Sequence, residues 1–173
     1  HRQNMIILMG GQGVGKGTFA RMLCERHDYK YIETGKMLRD AATTDRVVAD
    51  IMARGELLPF EMLIKLVSQN IDTKHDLLLD GFPRTLAQAQ WLVENYADKF
   101  DIHVLYLNVP ESIMIQRIQK RIRDGGGRAD DADNAAIRNR LDIFWNTTMP
   151  AIDWLRTALG IRFSLVDVTG PVN

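Results

Sequence analysis

Residues 10–18 read Gly-Gly-Gln-Gly-Val-Gly-Lys-Gly-Thr and contain the spacing G-x-x-x-x-G-K. That pattern suits the binding of a nucleoside triphosphate. The glycines let backbone N–H groups curl around phosphate oxygens, where Cβ atoms would block the approach. A helix opening near Lys16 adds its positive dipole end and unpaired N–H donors. Lys16 itself brings a mobile cation to the β- and γ-phosphates. Gly13, Val14, Gly15, Lys16, Gly17 and Thr18 thus form the expected triphosphate cradle. Gly17 occupies the position after the lysine where a Mg²⁺-binding Ser or Thr usually stands, with Thr18 one residue later. The metal is therefore expected to be held by phosphates and water rather than by a protein hydroxyl.

A second group of residues could serve the same anion. Asp80 closes the apolar run Leu77–Leu79, at the edge where open parallel sheets bind ligands. A carboxylate there can orient the waters of Mg²⁺; as a plain structural residue it would cap a helix or a turn. Gly81 and Pro83 form a turn that presents Arg84, whose guanidinium can fork two phosphate oxygens. Thr85-x-x-Gln88 has the form of a capping box, while the Gln88 amide could also pair with the edge of a base. Arg117, Arg121, Arg128 and Arg140 flank a glycine- and aspartate-rich break over 124–133, with Arg123 and Arg138 nearby. Phosphoryl transfer spreads negative charge over several oxygens, which such a cluster would neutralise. Arg123 and Arg138 are assigned to a solvated helix face.

Short apolar strands alternate with longer helical patterns and position these groups. Strands are expected at 5–9, 31–33, 77–79, 103–108 and 163–168. Helices are expected at 16–26, 45–54, 60–70 and 85–96, then from Pro110 through Ile113, Ile118 and Ile122, and from Ala135, bent or interrupted at Pro150. This alternation predicts an α/β fold: a parallel five-stranded sheet flanked by helices on both faces.

Composition narrows the function classes. Lys plus Arg number 22 and Asp plus Glu number 22, for a formal net charge of zero. No global field exists to recruit nucleic acid or an anionic membrane, so an anion must be met locally. The single cysteine, Cys24, excludes an internal disulfide and a multi-cysteine zinc site, and is expected in the core. No apolar run approaches a membrane span, and no secretory signal pattern opens the sequence. A soluble, cytoplasmic, single-domain protein is expected. His27, His75 and His103 share no ligand spacing, and Trp91, Trp145 and Trp154 are expected to be packing residues.

Four further stretches follow the phosphate loop in order: Thr34-Gly-Lys-Met-Leu-Arg39, Arg54-Gly-Glu-Leu-Leu-Pro59, Asp80-Gly-Phe-Pro-Arg-Thr-Leu-Ala-Gln88 and Gly127-Arg-Ala-Asp-Asp131. Together they resemble the adenylate kinase family, over Met5 to Gly170. The resemblance implies a P-loop NTPase fold in one domain over 1–173, with small mobile insertions: a monophosphate-binding segment over 34–63 and a short, zinc-free lid over 122–134. It implies Mg²⁺-dependent transfer from ATP to AMP giving two ADP. Catalytic roles fall to Lys16, Arg84, Arg121, Arg128 and Arg140. Gly13 to Thr18, Arg117, Arg121 and Gly170 would hold ATP. Thr34, Gly35, Arg39, Glu56, Leu57, Leu58, Gly81, Phe82, Pro83, Arg84, Gln88, Arg128 and Arg140 would hold AMP. Gln88 would read the adenine, Asp80 would meet Mg²⁺ through water, and Asp130 and Asp131 would hold the lid arginines. A monomer is implied. The sequence departs from the family at Lys36, where aspartate is common, and in a shorter stretch between Arg39 and Gly55. A UMP/CMP kinase shares the fold and reaction, and Gln88 argues against it; a nucleotide-sensing module with little turnover is the alternative from another class.

Overall fold

The computed structural model describes residues 2–10, 15–124, 138–139 and 141–167, apart from the side chains of residues 118, 121, 122 and 124. Five strands, β1 (Gln3–Met9), β2 (Lys30–Glu33), β3 (Leu77–Asp80), β4 (Phe100–Asn108) and β5 (Arg162–Asp167), form one parallel sheet in the order β2-β3-β1-β4-β5. Parallel neighbours need crossover connections, and helices supply them: α1 (Lys16–Arg26), α2 (Thr34–Ala42), α3 (Arg46–Ala53), α4 (Phe60–Asn70), α5 (Leu86–Tyr96), α6 (Glu111–Asp124) and α7 (Met149–Thr157).

The sheet is covered on both faces, which explains why its central strands are almost wholly apolar. Met5, Ile7, Leu77, Leu79, Ile102, Val104 and Tyr106 enter one core with α4, α5 and α7. Leu8, Leu78 and Leu107 enter the other, with Ala20 of α1 and Met114 of α6. Successive residues alternate faces, as strand geometry requires. Leu77, Leu78 and Leu79 are all fully buried, each contributing roughly 1.5–3 kcal/mol over an exposed side chain. Asp80 is the next residue, and this rigid strand sets its place.

Two expectations need correction, the start of β4 and Trp145, and two further segments gain detail. Thr34–Arg39 belongs to helix α2, and Thr34 is not its cap: Glu33 is, with Oε1 accepting from the Gly35 N–H at 2.8 Å and Oε2 from the Lys36 N–H at 2.9 Å. A carboxylate is favoured there by the helix dipole. Strand β4 begins at Phe100 rather than His103, because buried Phe100 and Ile102 continue the inward alternation. The interruption expected at Pro150 takes the form of a π-helical turn, Phe144–Thr148, just before it, and the proline falls in the first turn of α7, where its missing N–H costs nothing. Trp145 is not a core residue. It is 44% exposed and stacks edge-on to Phe144 at 5.3 Å, while Trp91 and Trp154 do pack against the larger core.

Cys24 is a free thiol at the margin of the second core, pushed up in pKa by burial. Exposed Arg138 pairs with Glu111 at 3.3 Å, so it bridges the surface rather than standing alone in solvent.

Candidate active site

Parallel strands end on one side of the sheet, so the segments following β1, β2 and β3 emerge together. Register makes the juxtaposition specific: Asp80 lies beside Leu8 of β1 and beside Glu33 of β2. The chain after β1 runs to Lys16, the first residue of α1. Gly15 stands before it with φ 89°, a left-handed conformation that a side chain would strain.

Lys16 Nζ lies 3.6 Å from Asp80 Oδ1. Both side chains are largely withdrawn from water, 26% and 11% exposed. Burial pulls the lysine pKa below its ordinary value; Asp80 opposes that shift and the nearby Arg84 adds to it. The lysine is thus held in a dry site by a partner longer than a good hydrogen bond, which leaves it able to turn to a stronger anion. The other oxygen of Asp80, Oδ2, accepts a hydrogen bond from the Tyr31 hydroxyl at 2.7 Å. Burial first, then Asp80, holds that phenol well above its usual range. Among the described residues Asp80 caps no helix; both oxygens serve this cluster.

The turn after β3 brings the remaining groups inward. Gly81 has φ 91°, and the Phe82–Pro83 peptide is cis. Arg84 Nε donates to the Gly81 carbonyl at 2.8 Å, and the buried Thr34 hydroxyl donates to the Asp80 carbonyl at 3.3 Å. A Cβ on Gly81 would meet Thr34 Oγ1 at 3.0 Å and Arg84 Nη2 at 3.4 Å. Gly81→Ala is therefore expected to destabilise the fold by about 1–3 kcal/mol through backbone strain at positive φ and to displace Thr34 and Arg84. A denaturation midpoint measures the loss.

Gln88 makes the bonds of its helix-start role. Its N–H donates to Thr85 Oγ1 at 3.2 Å, and its Oε1 accepts the Arg84 N–H at 2.8 Å. Because a backbone N–H can only donate, the amide is oriented with its NH₂ turned away from Arg84. Only the Thr85 half of the expected capping box is formed, since Gln88 Oε1 takes the N–H of Arg84 rather than that of the cap Thr85; among the described residues the amide keeps two donors and one acceptor lone pair for a ligand.

Arg39 is 67% exposed in its side chain and rests 3.7 Å from Glu33 Oε2. Its guanidinium lies over Gly35, where a Cβ would meet Nη1 at 3.1 Å. Lys36 pairs with Asp40 at 2.8 Å along the exposed face of α2, a contact worth a few tenths of a kcal/mol. Glu56, Leu57 and Leu58 form the link from α3 to α4, with Leu57 93% exposed and Glu56 paired to Arg54 at 3.2 Å. Arg117 sits on α6. Gly13, Val14, Arg128, Arg140 and Gly170, with most of the lid segment, lie outside the described residues, as does the Arg121 side chain. Tyr31 and Glu33 are additions that sequence reasoning missed: each occupies an ordinary-looking strand position, and only the β2–β3 register sets it beside Asp80.

Among the described residues, no three His, Cys, Asp or Glu side chains gather as a metal cage. Asp80 offers hard oxygen donors whose Oδ1 contact to Lys16 leaves lone pairs for water, the type of hold Mg²⁺ favours over an all-protein cage. A Cβ on Gly17 would meet nothing within 4 Å, so packing does not forbid a hydroxyl residue there.

A family model described as adenylate kinase matches residues 8–159. The chain is 38% identical over 185 aligned positions to the adenylate kinase of Parvibaculum lavamentivorans (strain DS-1), covering 97% of this chain and 89% of that protein. It is 38% identical over 159 positions to the adenylate kinase of Prochlorococcus marinus (strain MIT 9301), covering 87% and 84%. With the adenylate kinase of Bacteroides thetaiotaomicron the figures are 34% over 160 positions, 87% and 84%.

Proposed function

The chain belongs to the adenylate kinase family, and from that premise we propose how its residues divide the transfer of a phosphoryl group from ATP to AMP, giving two ADP. The enzyme is a phosphotransferase that binds both nucleotides. The observation that carries the division of labour is the convergence of Lys16, Asp80 and Arg84 at the adjoining ends of β1 and β3.

Lys16 turns from Asp80 to the β- and γ-phosphates of ATP, within the cradle formed by Gly13 to Thr18. Arg84 and Arg39 hold the AMP phosphate. Thr34, Gly35, Gly81, Phe82, Pro83 and the 56–58 backbone line the monophosphate side, and Gln88 reads the adenine edge. Arg117 and Arg121, with Gly170, serve ATP; Arg128 and Arg140 bridge the two nucleotides. An AMP phosphate oxygen attacks the γ-phosphorus in line, a P–O bond forms, and the bond to the β,γ-bridging oxygen breaks as ADP leaves. The attacking phosphate is already anionic, so no general base is needed; positioning and charge neutralisation carry the rate. Mg²⁺, when bound, supplies further neutralisation of the β- and γ-oxygens, and Asp80 would orient its waters. Closure of segments 34–63 and 122–134 would exclude water. A monomer is the state implied by the family resemblance. An unpaired thiol at Cys24 suits the reducing cytoplasm, where we place the enzyme in the supply of adenine nucleotides. No helix among the described residues is long and apolar enough to cross a membrane.

The experiment is an acceptor panel of AMP, CMP, UMP, GMP and dTMP with ATP, run on the wild type and on Gln88→Ala. Losing base contacts at a desolvated site costs roughly 1–3 kcal/mol, or about one to two decades in kcat/KM for AMP. The gap to CMP and UMP should narrow accordingly. The lost helix-start bonds should lower stability by about 1 kcal/mol as well. A variant with lowered stability and unchanged AMP:CMP selectivity would confine Gln88 to its capping role.

A further inference from the structure

We propose that Tyr31 is a positioning residue of this site: its hydroxyl aligns the Asp80 carboxylate so that one oxygen faces Lys16 and the phosphate side while the other is withheld. The inference rests on the assignment of Asp80 to the Mg²⁺ waters, and the test below separates the two. Tyr31 pairs in register with Leu78, so Asp80, two residues on, is its diagonal neighbour on the same face, within reach of a long aromatic side chain. The contact is short, 2.7 Å to Oδ2, and Asp80 itself is buried. Tyr31 as a residue is 44% exposed and belongs to neither core cluster. Packing therefore does not account for the residue; its polar tip does.

The geometry has a mechanical consequence. A carboxylate rotates about its last side-chain bond, and that torsion is soft. Tied at Oδ2 by Tyr31, Asp80 presents only Oδ1 toward Lys16, at 3.6 Å. Without the phenol hydroxyl, Oδ2 loses its partner in a dry site, and the carboxylate gains by turning both oxygens on the ammonium. That tighter pair would draw Lys16 away from the nucleotide and disperse the lone pairs that orient water. Tyr31 thus limits how strongly Asp80 competes with ATP for the lysine. Partners that orient a metal-site group are worth about 10–100-fold in metal affinity or activity.

Tyr31→Phe keeps the ring and removes only the hydroxyl. We expect kcat to fall about tenfold, with KM for AMP and the thermal midpoint little changed. The second readout involves no turnover: titration calorimetry of a non-hydrolysable ATP analogue with and without MgCl₂. The gain in affinity that Mg²⁺ confers should shrink in Tyr31→Phe and in Asp80→Asn, and the double variant should be no worse than Asp80→Asn alone. If Asp80→Asn loses the Mg²⁺ gain while Tyr31→Phe retains both it and kcat, the role of Tyr31 is overturned and that of Asp80 stands. If Asp80→Asn also retains the gain, the Asp80 assignment falls and takes the Tyr31 proposal with it. Additive effects in the double variant would likewise overturn action through Asp80.

Discussion

Lys16→Met is expected to lower kcat by about 10²–10³-fold, the loss of roughly 3–4 kcal/mol of transition-state stabilisation typical of one preorganised electrostatic group. The site makes the lysine expensive to replace. It is largely withdrawn from water beside Asp80 and close to Arg84, where water substitutes poorly for its charge as negative charge builds on the transferring phosphoryl. Methionine has nearly the same length and flexibility, so shape is preserved while charge and donors are lost. Stability should change little, because two opposed effects nearly cancel. Removing a buried ammonium relieves its desolvation, the main reason its pKa is lowered, and strands Asp80 with only its Tyr31 bond. Single-turnover kinetics with a melting curve on the same preparation would check both parts. Near-normal kcat in a folded Lys16→Met protein would remove the lysine from the chemistry.

A bisubstrate mimic, two adenosines joined by five phosphates, is expected to bind at least about 10²-fold more tightly than ATP or AMP alone, since its second contact forms at high effective concentration. At 100-fold excess over Kd it should stabilise the fold by about 2.7 kcal/mol. For a chain of this size that is a rise of roughly 5–11 °C in Tm. The physical basis is the convergence already described: Lys16, proposed for the triphosphate, and Arg84, proposed for the monophosphate, lie at the ends of neighbouring strands, with Gly81, which ties Arg84, beside Asp80, which faces Lys16. A linear polyphosphate can therefore meet both without rearranging the sheet. A thermal shift no larger than that produced by AMP alone at matched concentration would show that the two pockets do not converge.

Much of this was legible in the residues themselves. The phosphate loop, the alternation of apolar strands with amphipathic helices, and the Asp80–Gln88 stretch are local patterns, set by backbone sterics and by side-chain spacing that neighbours along the chain can read. Parallel strands buried on both faces leave an unbroken apolar signature, as Met5–Met9 and Leu77–Leu79 do, so the five-stranded α/β sheet followed from periodicity. The helix start at Thr85 was equally local: the threonine caps it as the pattern suggests, while the Gln88 side chain takes the N–H of Arg84 instead of the cap's.

Other features depended on which strand lies beside which. Nothing in Tyr31-Ile-Glu33 distinguishes a catalytic edge from an ordinary short strand; the pairing of β2 with β3 in one particular register brings Tyr31 to Asp80. Glu33 is as inconspicuous, yet it caps α2 and overrides the weak helical signal of Thr34-Gly35. Trp145 occupied a helical spacing consistent with the core, but the π-helical turn that contains it leaves it exposed. The order β2-β3-β1-β4-β5 decided that Lys16 and Asp80 should meet. Residue types and short-range spacing specify the groups that can do chemistry, because local sterics and solvation act on them directly. Which groups share a dry site is a matter of register between strands far apart in the chain, and only the packed sheet, burying its leucines on both faces at once, selects that register.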